Sequence, residues 1–408
     1  MVLKQEGASG KQEGANGILF FLPHASCFLL TALQAVPSAY LHIPFCASTC
    51  DFCAFYQEQP ERAKIERYLA GMERELALVP PGAAFDTAFW GGGTPGLLPA
   101  DDLRRLGEAM VRAGGRPAEW SVELAPSSVR ADKLRALREV GVTRVSLGVQ
   151  SFDDATLDAL GRRHSTRQVR EAWDLVRAAG FGSVNLDLIF AVPGQDEARW
   201  EADLRAAVAL APDHLSTYCL TFEEDTAMFV KLSKGKVRID RDLEERLYRR
   251  TWSTLCDAGY AQYEISNFAR PGHACRHNLA TWEMREWIGY GPSASSQHAG
   301  RRRTNVSDLD RWLGGVESGD LAVEQVVALT PELLLCDALV FGLRTNAGVR
   351  PAELAARFTA PLPAGLAALA AQLAEEGLAT WDGATLALTD DGRLVADAVG
   401  VKVMELFP

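Results

Sequence analysis

Tyr40-Leu-His-Ile-Pro-Phe-Cys46-Ala-Ser-Thr-Cys50-Asp-Phe-Cys53 joins a short apolar run to three crowded cysteines. The run has strand length, and the C-x3-C-x2-C loop follows at its C-terminal end. Three thiolates from one tight loop can hold three irons of a four-iron cluster, which leaves one iron open to another ligand. A structural zinc would ask for a fourth ligand nearby. His42 lies within the strand, four residues before Cys46, and reads as facing the core or the surroundings of the site.

The same pattern of short apolar runs continues downstream. Runs at 39–45, 85–90, 120–124, 144–149, 183–190 and 214–222 alternate with amphipathic stretches at 62–79, 101–113, 131–140, 154–161, 166–179 and 197–210. Strands alternating with helices predict βαβ units and a parallel sheet. Six such units within 39–230 predict an α/β fold built on an incomplete (β/α)6 barrel rather than a closed eight. Barrels of this kind carry their sites at the C-terminal strand ends, where the cysteines lie. Residues 231–329 are rich in Trp and Tyr and less periodic, and are expected to extend the barrel. In 330–408, Leu366, Leu369 and Leu373 mark one helical face. Residues 380–381 and 386–388 flank Asp382-Gly383, a hairpin signal. A helix pair plus a hairpin predicts a winged-helix-like α+β module. This segment carries five basic and ten acidic residues, which argues against reading DNA.

The chain has 408 residues, 48% hydrophobic and 23% charged, with a net charge of −11. That composition excludes a disordered tail protein, a collagen and a disulfide scaffold. Its acidity disfavours wrapping nucleic acid or lying on an anionic membrane. Five further cysteines, Cys27, Cys219, Cys256, Cys275 and Cys336, are scattered. Such cysteines suit a reducing compartment, here the cytoplasm. Residues 1–38 differ from the rest. KQEGASG at 4–10 is followed by KQEGANG at 11–17, then an apolar run at 18–36 broken by Pro23, His24 and Gln34. The segment is expected to be a disordered or mis-assigned extension, with membrane contact only through 18–36.

Tyr40–Cys53 resembles the radical S-adenosylmethionine (SAM) superfamily, and most of all the branch holding oxygen-independent coproporphyrinogen III oxidase and the heme chaperones. Trp90-Gly-Gly-Gly-Thr-Pro95, Leu147-Gly-Val-Gln-Ser-Phe152, Asn185-Leu-Asp-Leu-Ile189 and Tyr263-Glu-Ile-Ser-Asn-Phe-Ala269 extend the resemblance from Tyr40 to the C-terminus. The resemblance implies a [4Fe-4S] cluster on Cys46, Cys50 and Cys53. It also implies SAM on the open iron, cleaved by one electron to methionine and a 5′-deoxyadenosyl radical. The implied SAM site is Tyr40, Gly92, Gly93, Thr94, Glu123, Gln150, Arg162, Asp187 and Cys219. Other readings stand beside these: the glycines as a plain turn, Glu123 as half of a barrel-interior salt bridge, and Arg163 and His164 as solvated residues.

His277-Asn278-Leu-Ala-Thr281-Trp282 is close to the H-N-x-x-Y-W pattern of the chaperones, with Thr281 at the Tyr position. By resemblance His277 is the heme contact, with Cys275 as an alternative thiolate; a packed loop is the competing reading. Oxidases of the family carry a further cysteine, C-x3-C-x2-C-x-C, where this chain has Ala54, Phe55 and Tyr56. The resemblance therefore implies a heme chaperone rather than an active oxidase. A heme-acceptor protein and an electron donor such as a flavodoxin or ferredoxin would be its partners, and nucleic acid would not.

Overall fold

The computed structural model describes residues 38–319 and 321–407. The expected N-terminal extension, Ser38 apart, lies outside the described residues, as does its apolar run at 18–36. Six strands run β1 Ser38–Ile43, β2 Thr87–Gly92, β3 Glu119–Leu124, β4 Arg144–Gln150, β5 Ser183–Phe190 and β6 His214–Cys219. Between them lie α1 Arg62–Leu76, α2 Ala100–Gly114, α3 Ala131–Val140, α4 Asp154–Ala159, α5 Thr166–Ala178 and α6 Glu197–Ala209. All six strands pair in parallel in chain order. The predicted (β/α)6 unit is present, with most boundaries within three residues. Local signals set the helix starts: Asp153, Ser165 and Asp196 each cap a first turn, and Ser165 with Gln168 forms a reciprocal capping box.

The two faces of the strands carry different chemistry. Leu41, Ile43, Trp90, Trp120, Val122, Val145, Leu147, Val184 and Leu186 point to the helices and are buried. The alternate positions, Tyr40, Phe89, Glu123, Ser146, Asn185, Asp187, His214, Ser216 and Tyr218, face the lumen. An ordinary barrel interior is filled by branched apolar side chains. Here Glu123, Gly148, Asp187 and Tyr218 remain partly accessible although helices cover the outside, so the lumen is open at its C-terminal half.

The sequence reading left 231–329 without strands, and the structure corrects this. After α7 Ala227–Ser233 and α8 Arg241–Asp257 come β7 Ala261–Gln262, β8 Asn267–Ala269, α9 Arg276–Trp282, β9 Trp287–Tyr290, β10 Ser295–His298, β11 Arg301–Asn305, α10 Leu309–Ser318 and β12 Val323–Ala328. They extend both edges of one twelve-stranded sheet, ordered β12-β11-β10-β9-β1-β2-β3-β4-β5-β6-β8-β7. Strands of two to six residues are too short to show period-two patterning, and partners distant in sequence hold them. The sheet does not close, because β12 and β7 are its two edges.

The remaining elements are α11 Pro331–Gly342, α12 Pro351–Phe358, α13 Leu366–Glu375, β13 Ala379–Trp381, β14 Leu386–Leu388, α14 Asp390–Leu394 and α15 Ala396–Met404. The expected hairpin is there, β13 against β14, and Val349 adds a bridge to Leu386. Leu366, Leu369 and Leu373 enter an apolar cluster with Leu335, Leu339, Leu386 and Val403, separate from the barrel core. The result is the winged-helix-like α+β arrangement. Among the described residues no helix is long and apolar enough to cross a membrane.

Candidate functional site

The cysteine loop leaves β1 through Pro44 and is fastened at several points. The Cys46 amide donates to the Glu58 carbonyl at 3.0 Å, and the Glu58 amide to that of Pro44 at 2.8 Å. Asp51, between Cys50 and Cys53, donates its amide to Leu160 at the end of α4 and accepts from the Met228 amide on α7. Its carboxylate pairs with Lys231 at 2.5 Å. Gly161 has φ +70°, and a Cβ there would lie 2.7 Å from the Asp51 carboxylate, so the close approach requires glycine. Beneath the loop Leu160, Ile189, Val192, Leu220 and Met228 form a small apolar cluster against Phe52. Burial pushes the Cys46 and Cys53 thiols up. Thr94 Oγ1 lies 3.7 Å from Cys46 Sγ, and Gln57 Nε2 donates to Cys53 Sγ at 2.9 Å. Among the described residues no three thiol, imidazole or carboxylate groups converge on one point as a single ion requires. A four-iron cluster asks instead for separate thiolates on separate irons.

The strand ends beside the loop bring together most of the predicted SAM residues. Gly93 donates its amide to Ile43 and Thr94 to Phe45, so the glycine turn is stitched to β1. A Cβ on Gly93 would sit 2.7 Å from both carbonyls. One on Gly91 would meet Glu123 Oε2 at 2.8 Å. Gly92, at φ +97°, leaves no room beside His42. Tyr40 lies deeper, its hydroxyl 3.4 Å from His42 Nδ1 and its ring stacked on Phe89. Burial, the larger cause, holds the phenol protonated.

Gln150 ends β4 with φ +68°, directly after a register shift against β5. A non-glycine residue in that region costs on the order of 1 kcal/mol, and here the bulge turns the amide back toward the lumen. Arg162 lies over the Phe52 ring at 5.6 Å, and its buried Nε has no hydrogen-bond partner. A desolvated guanidinium edge facing a lumen suits a bidentate anion such as a carboxylate. Phe52, Gly148 and Gln150 frame it.

Two carboxylates face each other across this lumen. Burial first, then the Asp187 charge, pushes Glu123 up to about 8, against one donor, the Gly92 amide. Asp187 is raised by burial too, but it accepts from Ser146 Oγ and Asn185 Nδ2, both at 2.8 Å. Asp187, which accepts two side-chain hydrogen bonds where Glu123 accepts one backbone donor, carries the charge of the pair, and Glu123 keeps the proton. Among the described residues no salt bridge holds Glu123; the Arg162 charge acts on it from a distance.

Cys219 behaves differently from its neighbours. Its thiol turns outward beside Tyr248 on α8 and is pushed up to about 12 by burial, so only its backbone is at the mouth. Tyr218 takes the lumen side instead, two-fifths exposed as a residue and with its hydroxyl beside Ser216. Sequence reasoning missed Tyr218. The signal was strand parity, since Tyr218 shares a face with Ser216, which pairs with Asp187. His164, expected to be solvated, is buried, with Nε2 3.0 Å from the Val149 carbonyl.

His277 is not at this site. Its Nδ1 lies 3.0 Å from Thr87 Oγ1, its ring packs on Phe89 at 5.3 Å, and its amide donates to Glu119. Thr87 begins β2 and Gly92 ends it, which puts His277 about 16 Å from the mouth at ~3.3 Å per residue. Burial pulls its imidazole down to about 4. Trp282 turns away toward Phe341 and Arg344. Cys275 is buried beside Glu119 at the same end.

The sequence profile of the radical SAM superfamily matches residues 40–207, and that of the HemN C-terminal domain matches 329–395. The heme chaperone HemW of Bacillus subtilis is 31% identical over 369 residues, 89% of this chain and 97% of that one. The heme chaperone HemW of Mycobacterium tuberculosis is 34% identical over 372 residues, 88% and 93%. The chain belongs to the HemW family of radical SAM proteins. Membership in that superfamily implies a [4Fe-4S] cluster and SAM. Coproporphyrinogen III oxidase (HemN) from Escherichia coli superposes with a TM-score of 0.79 over 90% of each chain at 24% identity, which shows the shared fold. The cysteine loop, the side-chain-free glycine turn and the unpartnered Arg162 Nε are fitted to those two groups.

Proposed function

We propose that this chain is a heme chaperone that passes heme to an acceptor protein, with a [4Fe-4S] cluster on Cys46, Cys50 and Cys53 and SAM beside it. The observation that carries this reading is the cysteine loop. It ends Cys53-Ala-Phe, without the fourth cysteine of the oxidase pattern, in a chain whose extensive relatives are named heme chaperones. When bound, the cluster supplies one electron to SAM. The chain's own residues do the rest. The Gly92-Gly93-Thr94 turn keeps Cβ atoms out of the space beside the thiolates. Arg162 and Gln150 take the anionic end of the ligand, and Asp187 takes hydroxyl or amine donors. Beside a ligand cation Glu123 would release its proton to solvent and pair with the cation as a carboxylate, and Tyr40 with the Cys219 backbone closes the wall.

The reading includes the division into barrel 39–230, extension 231–329 and C-terminal module 330–408. It also includes a flavodoxin- or ferredoxin-like electron donor and a cytoplasmic setting. Heme contact by His277 is left out of it, because the imidazole is committed to packing at the far end of the barrel. The test is anaerobic. Protein shown to carry cluster and to bind SAM is given a reductant and coproporphyrinogen III, and then heme with a heme-free acceptor. Heme transfer without porphyrin product supports the proposal. Protoporphyrinogen formation makes the chain an oxidase and overturns it.

A further inference from the structure

The segment Tyr263-Glu-Ile-Ser-Asn-Phe268 has so far no role. It runs between β7 and β8 against β6, where the Thr217 amide donates to the Ser266 carbonyl at 2.8 Å. On one side it grips the C-terminal segment. The Asn346 amide donates to the Tyr263 carbonyl at 3.0 Å, Glu264 bridges Thr345, and Ile265 is buried in the C-terminal apolar cluster. On the other side Tyr263 enters the barrel. Its hydroxyl lies 2.8 Å from His214 Nε2, and His214 Nδ1 lies 2.6 Å from Asn185 Oδ1. The Asn185 amide nitrogen then donates to Asp187 at 2.8 Å and to Ser146 at 2.7 Å.

Donor directions along this chain are not free. Asp187 as an anion only accepts, so Asn185 must present its NH2 to it and its carbonyl to His214. That puts the His214 proton on Nδ1 and makes Nε2 the acceptor for the Tyr263 hydroxyl. The hydroxyl's own acceptor capacity is met by the Cys275 amide at 3.4 Å. Every group is then satisfied. The reverse arrangement flips Asn185, moves the imidazole proton to Nε2 and strands the Tyr263 hydrogen. It fits only an Asp187 that has lost its charge. The relay therefore has two discrete states, and the charge on Asp187 selects between them.

We propose that His214 and Tyr263 are positioning residues that couple occupancy of the Asp187 side of the SAM cradle to the grip on the C-terminal segment at Thr345–Asn346. A ligand that engages Asp187 as an anion locks the satisfied state and tightens that grip. Release of the ligand loosens it. By reciprocity the attached C-terminal segment favours ligand binding by the same factor. The inference rests on SAM binding in the lumen, as argued above.

Hydrogen exchange by mass spectrometry on the cluster-loaded chain tests this, with and without SAM, following peptides over 345–349 and over Ala100–Gly114 as a remote control. SAM is expected to slow exchange in 345–349 about fivefold and to leave the control unchanged. Tyr263→Phe keeps the ring and removes the hydroxyl; it is expected to abolish the slowing and to weaken SAM binding two- to tenfold. In SAM-free protein Asp187→Asn is expected to speed exchange in 345–349, which a purely local packing role for Tyr263 does not predict. Slowing that persists in Tyr263→Phe, or an unchanged rate in Asp187→Asn, overturns the coupling. Equilibrium dialysis with labelled SAM separates the failures. Binding without slowing sinks this inference alone, and no binding sinks the SAM site with it.

Discussion

The two ends of the barrel are built from similar residue types and behave in opposite ways. At the N-terminal end Ser38 pairs with Thr87, Thr87 with His277, and Glu119 with the Arg276 and His277 amides. These polar groups have partners, and α9 seals the opening. At the C-terminal end Arg162 Nε and Gln57 Oε1 are buried without partners among the described residues, Glu123 holds its proton in a buried carboxyl and Gln150 is held at positive φ. Unsatisfied buried groups are costly and persist where something else satisfies them. The histidine beside a conspicuous tryptophan is packed against partners here, while the glycine turn and Arg162 border the open lumen.

The sharpest break of this contrast is at the loop. Cys50→Ala should abolish visible iron–sulfur absorption after anaerobic reconstitution, and iron analysis showing four irons per chain in that variant would remove the cluster assignment. His277→Ala should cost about 2 kcal/mol in urea unfolding, through an emptied packing site and a stranded Thr87. Heme and SAM titrations should be unaltered in that variant; a lost heme signal would move the functional end of the barrel. Arg162→Met should do the reverse. It should weaken SAM binding about tenfold, the loss of one charge-assisted contact, with unfolding changed by less than ~0.5 kcal/mol.

The carboxyl at the mouth gives a pH signature. Its folded value, about 8, lies above the ordinary 4.5, so the folded chain holds a proton that the unfolded chain has released. The stabilisation is complete below the unfolded value and is lost as pH rises from about 4.5 to about 8. Ligand-free protein should lose on the order of 1 kcal/mol per pH unit across that window from this group. Glu123→Gln should flatten the urea-derived stability profile by that amount, and an identical slope would mean the proton sits elsewhere. The smallest effect is at the bulge. Gln150→Gly should gain about 0.5 kcal/mol by relieving the positive φ, while weakening SAM binding.

Much of this was legible in sequence. The cysteine spacing, the alternation of strand and helix over 39–230, the Asp382-Gly383 hairpin and the strand-end glycines are all local signals. Each rests on contacts between near neighbours, and each predicted element formed. Residues 261–328 were not legible as strands, because their order comes from sheet edges offered by β1 and β6. The side on which a residue acts was hidden as well: Cys219 turns out to α8 and Tyr218 turns in.

Sequence alone determined the loop that holds thiolates, the (β/α)6 scaffold that places it at a strand end, and the family. Those depend on period, spacing and backbone preference, which act within a few residues. Tertiary structure alone decided which end of the barrel each polar residue serves. It sent His277 to the sealed end and Arg162 to the open one, left one carboxyl protonated and the other ionised, and tied Tyr263 to Asp187 through His214 and Asn185. Burial, hydrogen-bond satisfaction and charge depend on neighbours brought together from distant positions in the chain.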